Sequence, residues 1–314
     1  MRIQYFVTES DQGQRAVDVL CKNTKMSRLM SKKIRLYGTL LRNGIHCRMI
    51  DKVEAGDVLI AEYWPHGKSL PELNHDPDLP VIYQDDWLII INKPAGMVTH
   101  PTYLHDKGSV TDRLADFPLH PVIRLDRDTS GVLPVALNGH AHHVITKMKM
   151  EKTYVALVYG KMPGRSGVFE QPIGRHPTSI MLRLVSDEGK PAKTIWRLCH
   201  YFRSSDVSLL QLSLITGRTH QIRVHCQAAG HPLLGDGLYG INSIASDSES
   251  NSDSAPVCNN RNESEKLFNR QALHAASLKF VHPLSLQPMR ITAKLPEDFM
   301  AALKHLWKKE KSDH

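Results

Sequence analysis

The sequence is poor in aromatic residues, which make up 6% of it, and it holds only five cysteines. Cys21, Cys47, Cys199, Cys226 and Cys258 are odd in number, scattered, and never spaced C-x-x-C, which excludes a disulfide framework and argues against a zinc site. They read as reduced thiols. Long apolar runs are missing as well: Trp87 to Ile91 and Val132 to Leu137 fall far below the roughly 20 residues that span a bilayer, so no membrane helix is expected. The N-terminus lacks a basic segment followed by an apolar run, so no signal or transit peptide is expected, and the expected location is cytoplasmic. Dinucleotide and phosphate-loop glycine signatures are absent, and the His140, His142, His143 group reads as helix surface rather than as a metal site. Chemistry without cofactor or metal is the expectation.

What is present is a chain of 314 residues, 41% apolar and 23% charged, which fits a globular protein of about two domains. Collagen, coiled coil and disulfide miniprotein are excluded. Lys and Arg number 40 against 32 Asp and Glu, a net charge of +8, which favours a polyanionic partner.

Residues 1–62 form the first expected domain. A helix around Ala16 to Asn23 is followed by Ser27, a helix cap, and by Met30, Ile34 and Tyr37 at the i, i+4, i+7 spacing of a buried stripe. Arg28, Lys32 and Arg35 share another face. Gly38 ends the helix, Leu40 to Ile45 runs into an Asn-Gly hairpin turn, and a turn at Glu54 to Asp57 leads into Val58 to Tyr63. From Lys22 to Arg48 there are eight Lys/Arg and no acidic residue, a concentration of charge suited to phosphates.

Residues 63–79 read as a linker, and about 242–265, dominated by Ser, Asn, Asp and Glu, as a mobile insertion. From residue 80 to about 310 the pattern alternates. Val81 to Tyr83, Trp87 to Asn92, Val132 to Leu137, Tyr154 to Tyr159, Ile195 to Cys199 and Val207 to Ile215 are strand-like; His140 to Met150 and His220 to Ala229, with Thr219 as a possible cap, are helix-like. Strands following one another without crossover helices predict an α+β fold with a mixed, largely antiparallel central sheet and flanking helices.

Two segments carry candidate chemistry. If Arg124 to Asp128 is extended, Arg124, Asp126 and Asp128 share one side, and a carboxylate among guanidinium groups has its charged form favoured, as a nucleophile requires. Spacing alone does not choose between the two aspartates, and a surface ion-pair cluster satisfies the same residues. In Leu214 to His225 a strand leaves through Gly217 and delivers Arg218 beside a helix start, where an anion or merely a turn carbonyl satisfies it. Tyr154, on a strand with Ala156 and Val158, is a core residue unless a cleft makes it a stacking platform.

Together, INKPAGMVTHP, RLDRDTSGV, EKTYVALVYG, TGRTHQIRVH, HPLLGDGLYG and LHAASLKFVHP occur in an order that resembles the RNA pseudouridine synthases of the large-subunit-rRNA type, the RluA family. The resemblance spans about residues 80–295. The first 62 residues are similar to a small RNA-binding domain first described in a ribosomal protein. The resemblance implies a pseudouridine synthase fold, an RNA partner (rRNA or tRNA) and isomerisation of uridine. It also implies that Asp126 is the catalytic aspartate, with Arg124 in its motif. Tyr154 is implied to stack on the target base, Arg218 to pair with the aspartate, and Leu273 to wall the pocket. Arg28, Lys32 and Arg35 would hold RNA backbone, so that deleting residues 1–62 flattens the salt dependence of binding. One departure is Ile123, where the family usually has His. Rival readings are a catalytically impaired RNA-binding factor of the same fold and a Mg-dependent phosphoryl-transfer enzyme using Asp126 and Asp128.

Overall fold

The computed structural model describes residues 1–63, 72–102, 107–241, 264, 266–282, 285 and 287–313. Residues 64–71 of the expected linker and, Ser264 aside, the insertion expected at 242–265 lie outside the described residues. Residues 72–79 are docked rather than free: Asn74 N–H donates to Leu114 O at 2.8 Å, and Arg113 pairs with Asp76 and Asp78.

The N-terminal part runs β1 (Arg2–Phe6), α1 (Ala16–Asn23), α2 (Arg28–Tyr37), β2 (Thr39–Arg42), β3 (Ile45–His46) and β4 (Val58–Glu62). Its strands form an antiparallel sheet in the order β1-β4-β2-β3. Ser27 caps α2 by accepting from Met30 N–H, and Asn43 and Gly44 both take the left-handed backbone that the β2–β3 turn requires. The expected stripe of α2 is corrected at Tyr37, which is 74% exposed, while Ser31 and Ile34 are buried. The cause is the contact at Gly38, where a Cβ would meet Glu62 O at 2.2 Å. The missing side chain at Gly38 lets the helix end press on β4, and the face carrying Tyr37 turns outward.

The rest contributes β5 (Val81–Gln84), β6 (Leu88–Lys93), α3 (Val110–Leu114), β7 (His120–Pro121), β8 (Ser130–Ala136), α4 (Gly139–Thr146), β9 (Glu151–Tyr159), β10 (Ser166–Phe169), β11 (Ile173–Arg175) and β12 (Arg183–Val185). β13 (Thr194–Phe202), β14 (Val207–Leu214), α5 (Gln221–Ala228), β15 (Leu273–Val281), β16 (Pro288–Thr292) and α6 (Glu297–Ser312) follow. The large sheet has the order β10-β13-β14-β9-β15-β8-β6-β5, with β16 beside β15 and β7 beside β8. Among the described residues its one parallel pair is β15 with β8; the sheet is mixed and largely antiparallel, as expected.

β6 and β8 read as unbroken apolar runs because both of their faces are covered. The two-residue period then sorts neighbours: Leu88 and Ile90 join a core shared with Met1, Ile3 and Leu59, while Ile89 and Ile91 join Leu133, Val135, Tyr154 and Leu273 on the other face. The N-terminal sheet is therefore packed on the large one, and Trp87 Nε1 donates to Arg2 O at 3.2 Å.

Two buried histidines are expected to make the fold acid-sensitive. His140 lies edge-on to Trp87 and His274 contacts Ser130 Oγ through Nδ1 at 3.0 Å; burial pulls both imidazoles down to about 4. Between that value and the ordinary one near 6.5 the unfolded chain binds more protons than the folded one, so stability falls as pH drops through this window, by at most roughly 3 kcal/mol per histidine. Urea midpoints are expected to fall between pH 7 and pH 4.5, and to fall less in His140→Phe; equal midpoints would contradict the burial of neutral rings.

Candidate active site

Asp126 sits on a loop fixed from both sides. Leu125 is buried, and Thr99 Oγ1 both donates to Leu125 O, at 3.0 Å, and accepts from Leu125 N–H. Thr129 N–H closes a turn on Asp126 O, so the chain bends at 127–128 instead of continuing extended. The expected alternation of Arg124, Asp126 and Asp128 is thereby corrected: Asp128 turns to Arg127 at 3.0 Å, while Asp126 faces elsewhere. Gly131, at φ 118°, ends the loop where a Cβ would collide with Ala275 O of β15. Lys93, wholly buried at the end of β6, donates to the carbonyls of Pro94, Met97 and Arg127 at 2.7, 2.7 and 2.8 Å. Burial lowers its pKa to about 7, against the pull of Asp128 and Asp126. Arg270 adds a bond to Asp128 O at 2.9 Å while paired with Asp298.

The guanidinium that meets Asp126 belongs to Arg223. Its Nη1 is 3.3 Å from Asp126 Oδ2, and its Nε and Nη2 hold both oxygens of the buried Asp236 at 2.7 Å. The Arg218 pairing that the resemblance implied is corrected: Arg218 Nε donates to Pro191 O at 2.9 Å on the rim. The reason lies in how α5 begins. Its first flanking residue is His220, not Thr219, and His220 is left-handed (φ 55°, ψ 20°), which breaks the run of the chain between Arg218 and the helix. Gln221 Oε1 fastens this entry by accepting from Thr216 Oγ1 and Arg218 N–H. Arg223, one turn in, points at the cleft, and Tyr239 lies under its guanidinium, 4.9 Å from the ring centre. His220 Nε2 is 3.9 Å from Asp126 Oδ1, and burial lowers its pKa against the pull of Asp126.

Asp126, His220 and Arg223 line a cleft of about 630 Å³ together with Arg124, Tyr154, Arg218 and Leu273. Tyr154 is 6% exposed in the middle of β9, paired with Ala275 and Leu212, and burial with Asp126 nearby pushes its phenol up. Leu273 begins β15, and Arg124 is exposed at the mouth. Ile123 packs half-buried against the cores on both sides, a packing position in this chain. Arg28, Lys32 and Arg35 lie apart from the cleft elements, on α2; Arg28 pairs with Asp18 at 3.0 Å, while Lys32 and Arg35 are exposed. Among the described residues no group of three or more His, Cys, Asp or Glu is placed to hold a metal.

Lys93, His220, Arg223, Asp236 and Arg270 were not singled out from sequence. Arg223 and Asp236 did stand inside the quoted motifs TGRTHQIRVH and HPLLGDGLYG, and a buried arginine demands a carboxylate partner.

A cleft with one carboxylate, a fixed guanidinium and an apolar wall can admit a flat polar group and act on it without a metal. Residues 87–228 match the family model for RNA pseudouridylate synthase. The chain is 34% identical over 282 residues to an uncharacterised RNA pseudouridine synthase, YjbO, of Bacillus subtilis, covering 85% of this chain and 90% of the relative. It is 34% identical over 318 residues to ribosomal large subunit pseudouridine synthase D of Vibrio parahaemolyticus, covering 96% and 94%. Among solved structures, human RNA pseudouridylate synthase domain containing 1 superposes with a TM-score of 0.54 at 25% identity, over 76% of this chain and 98% of that one. With relatives at this identity along nearly the whole chain, the protein belongs to the RNA pseudouridine synthase family and isomerises uridine in RNA.

Proposed function

We propose that the chain isomerises uridines of large-subunit rRNA with Asp126 as the catalytic carboxylate, Arg223 as its partner and Tyr154 as the face that receives the flipped base. The observation that carries this reading is the Asp126–Arg223 contact at 3.3 Å inside the cleft. The reaction breaks the bond from C1′ to N1 of uracil, turns the base, and forms the bond from C1′ to C5. The C5 proton is lost and N1 gains one, so nothing is oxidised and no atom is added. Attack of the carboxylate on C1′ or on the base, and removal of a sugar proton, all need Asp126 as a carboxylate beside the nucleoside. A target in folded RNA must first leave its stack, and Tyr154 would replace part of the lost stacking. Arg124 would contact the RNA at the mouth, and Leu273 would wall the base pocket. The test is release of tritium from 5-tritiated uridine in a large-subunit rRNA transcript and in bulk tRNA. Release from the first and not the second is expected; the reverse would overturn the rRNA assignment.

Lys93 positions the loop through three carbonyls that only an ammonium can satisfy in full. Lys93→Met is expected to cost about 2–4 kcal/mol and to lower turnover at least about tenfold, read by urea unfolding and by tritium release. Kinetics equal to wild type would count against that anchoring role.

The N-terminal part is proposed as an RNA-binding domain, with Lys32 and Arg35 on the open face of α2. Since Trp87 is covered by this part, deleting residues 1–62 would expose core, and a charge change is the cleaner probe. In Lys32→Ala/Arg35→Ala the slope of log affinity against log salt is expected to shrink by roughly 1.5, measured by filter binding. An unchanged slope would remove these residues from the interface.

A further inference from the structure

His220 is the one imidazole that reaches the catalytic carboxylate among the described residues, and its other nitrogen is held by a partner that fixes where its proton sits. Tyr239 Oη is 2.9 Å from His220 Nδ1 and accepts from Arg183 N–H at 2.8 Å. Tyr239 is 2% exposed, so its single hydroxyl proton has no acceptor other than His220 Nδ1 among these neighbours. That arrangement makes Nδ1 an acceptor and leaves the proton of the neutral ring on Nε2, the nitrogen 3.9 Å from Asp126 Oδ1. Arg223 stands at the other oxygen, Oδ2, so the two carboxylate oxygens have separate N–H donors at hand. The charged groups facing the ring are Asp126, Arg223, Arg183 and Asp236.

We propose that His220, locked by Tyr239 with its proton on Nε2, is a positioning residue that donates to Asp126 Oδ1 and fixes the plane of the carboxylate for isomerisation. The inference rests on Asp126 being the catalytic carboxylate. The free protein shows the contact at 3.9 Å, and substrate binding would close it to hydrogen-bond length, as such contacts commonly tighten on ligand binding. The lock also joins the carboxylate to β12, since the hydroxyl between them accepts from the backbone of Arg183.

Single-turnover tritium release from the large-subunit rRNA transcript, with RNA affinity measured in parallel, tests this with four variants. Asn tolerates the left-handed backbone but is too short to reach Asp126, whereas Gln carries an amide N–H about as far as Nε2. His220→Asn is expected to lose at least about 30-fold in rate, with RNA affinity changed less than about threefold, and His220→Gln to regain at least about tenfold of that loss. Tyr239→Phe keeps the ring under Arg223 but frees the tautomer, so its penalty of about fivefold is expected to shrink below about twofold in the His220→Gln background, which has no tautomer to lock. A rate for His220→Asn within about threefold of wild type, or an equal Tyr239→Phe penalty in both backgrounds, would overturn the proposal. Wild type inactive on this transcript but active on tRNA would instead overturn the rRNA assignment, and the four-variant comparison then decides the role of His220 on tRNA.

Discussion

Asp126→Asn is expected to lose at least about 10³-fold in turnover while binding RNA within about threefold of wild type. The amide keeps the shape of the side chain, and Asp236 continues to neutralise Arg223 through two bonds at 2.7 Å, so the loop and the buried pair survive the change. Every route from uridine to pseudouridine open to this cleft starts from a basic or nucleophilic oxygen, which the amide lacks. Binding, on the reading proposed above, would draw on Arg124 at the mouth and on the basic face of α2, neither of which the substitution touches. Tritium release and filter binding separate the two effects. Turnover close to wild type would mean that the carboxylate is a bystander.

The two arginines of the same motif are expected to behave oppositely. Arg223 is 4% exposed and serves two carboxylates, so Arg223→Lys, which keeps the charge but loses the fork, should cost about 3 kcal/mol and at least about 10² in rate. Arg218 meets only a carbonyl on the rim through its side chain, and Arg218→Met should stay within about threefold of wild type in rate, with any loss in RNA affinity. Rates and urea midpoints of both variants decide the matter. A loss for Arg218→Met as deep as that for Arg223→Lys would transfer the partner role back to Arg218.

That contrast marks where the sequence stops being legible. Asp126 was singled out by the resemblance of a contiguous motif, whereas spacing alone left it level with Asp128, and the long-range bonds from Thr99, Lys93 and Arg270 that hold its loop left no local signal. The partner was not: two arginines five positions apart compete, and the choice turns on a left-handed residue at His220 that shifts the helix start by one position. A single backbone angle of that kind leaves no periodic trace. Lys93 escaped notice for a related reason, since it acts through carbonyl oxygens, which every residue has, and Arg270 because its carboxylate partner Asp298 lies 28 residues along the chain. The sheet was legible from unbroken apolar runs in β6 and β8 and from the missing crossover helices, whereas its strand order, with β15 between β9 and β8, depends on contacts more than a hundred residues apart. On α2 the period alone put Tyr37 inward, and the close approach at Gly38 put it outward.

The most direct measurement is a map of pseudouridine in cellular RNA from cells lacking this protein, complemented with the wild-type chain or with Asp126→Asn. Sites in large-subunit rRNA that vanish without the protein, return with the wild type and stay absent with Asp126→Asn are the result expected here. Restoration of the same sites by Asp126→Asn would contradict it.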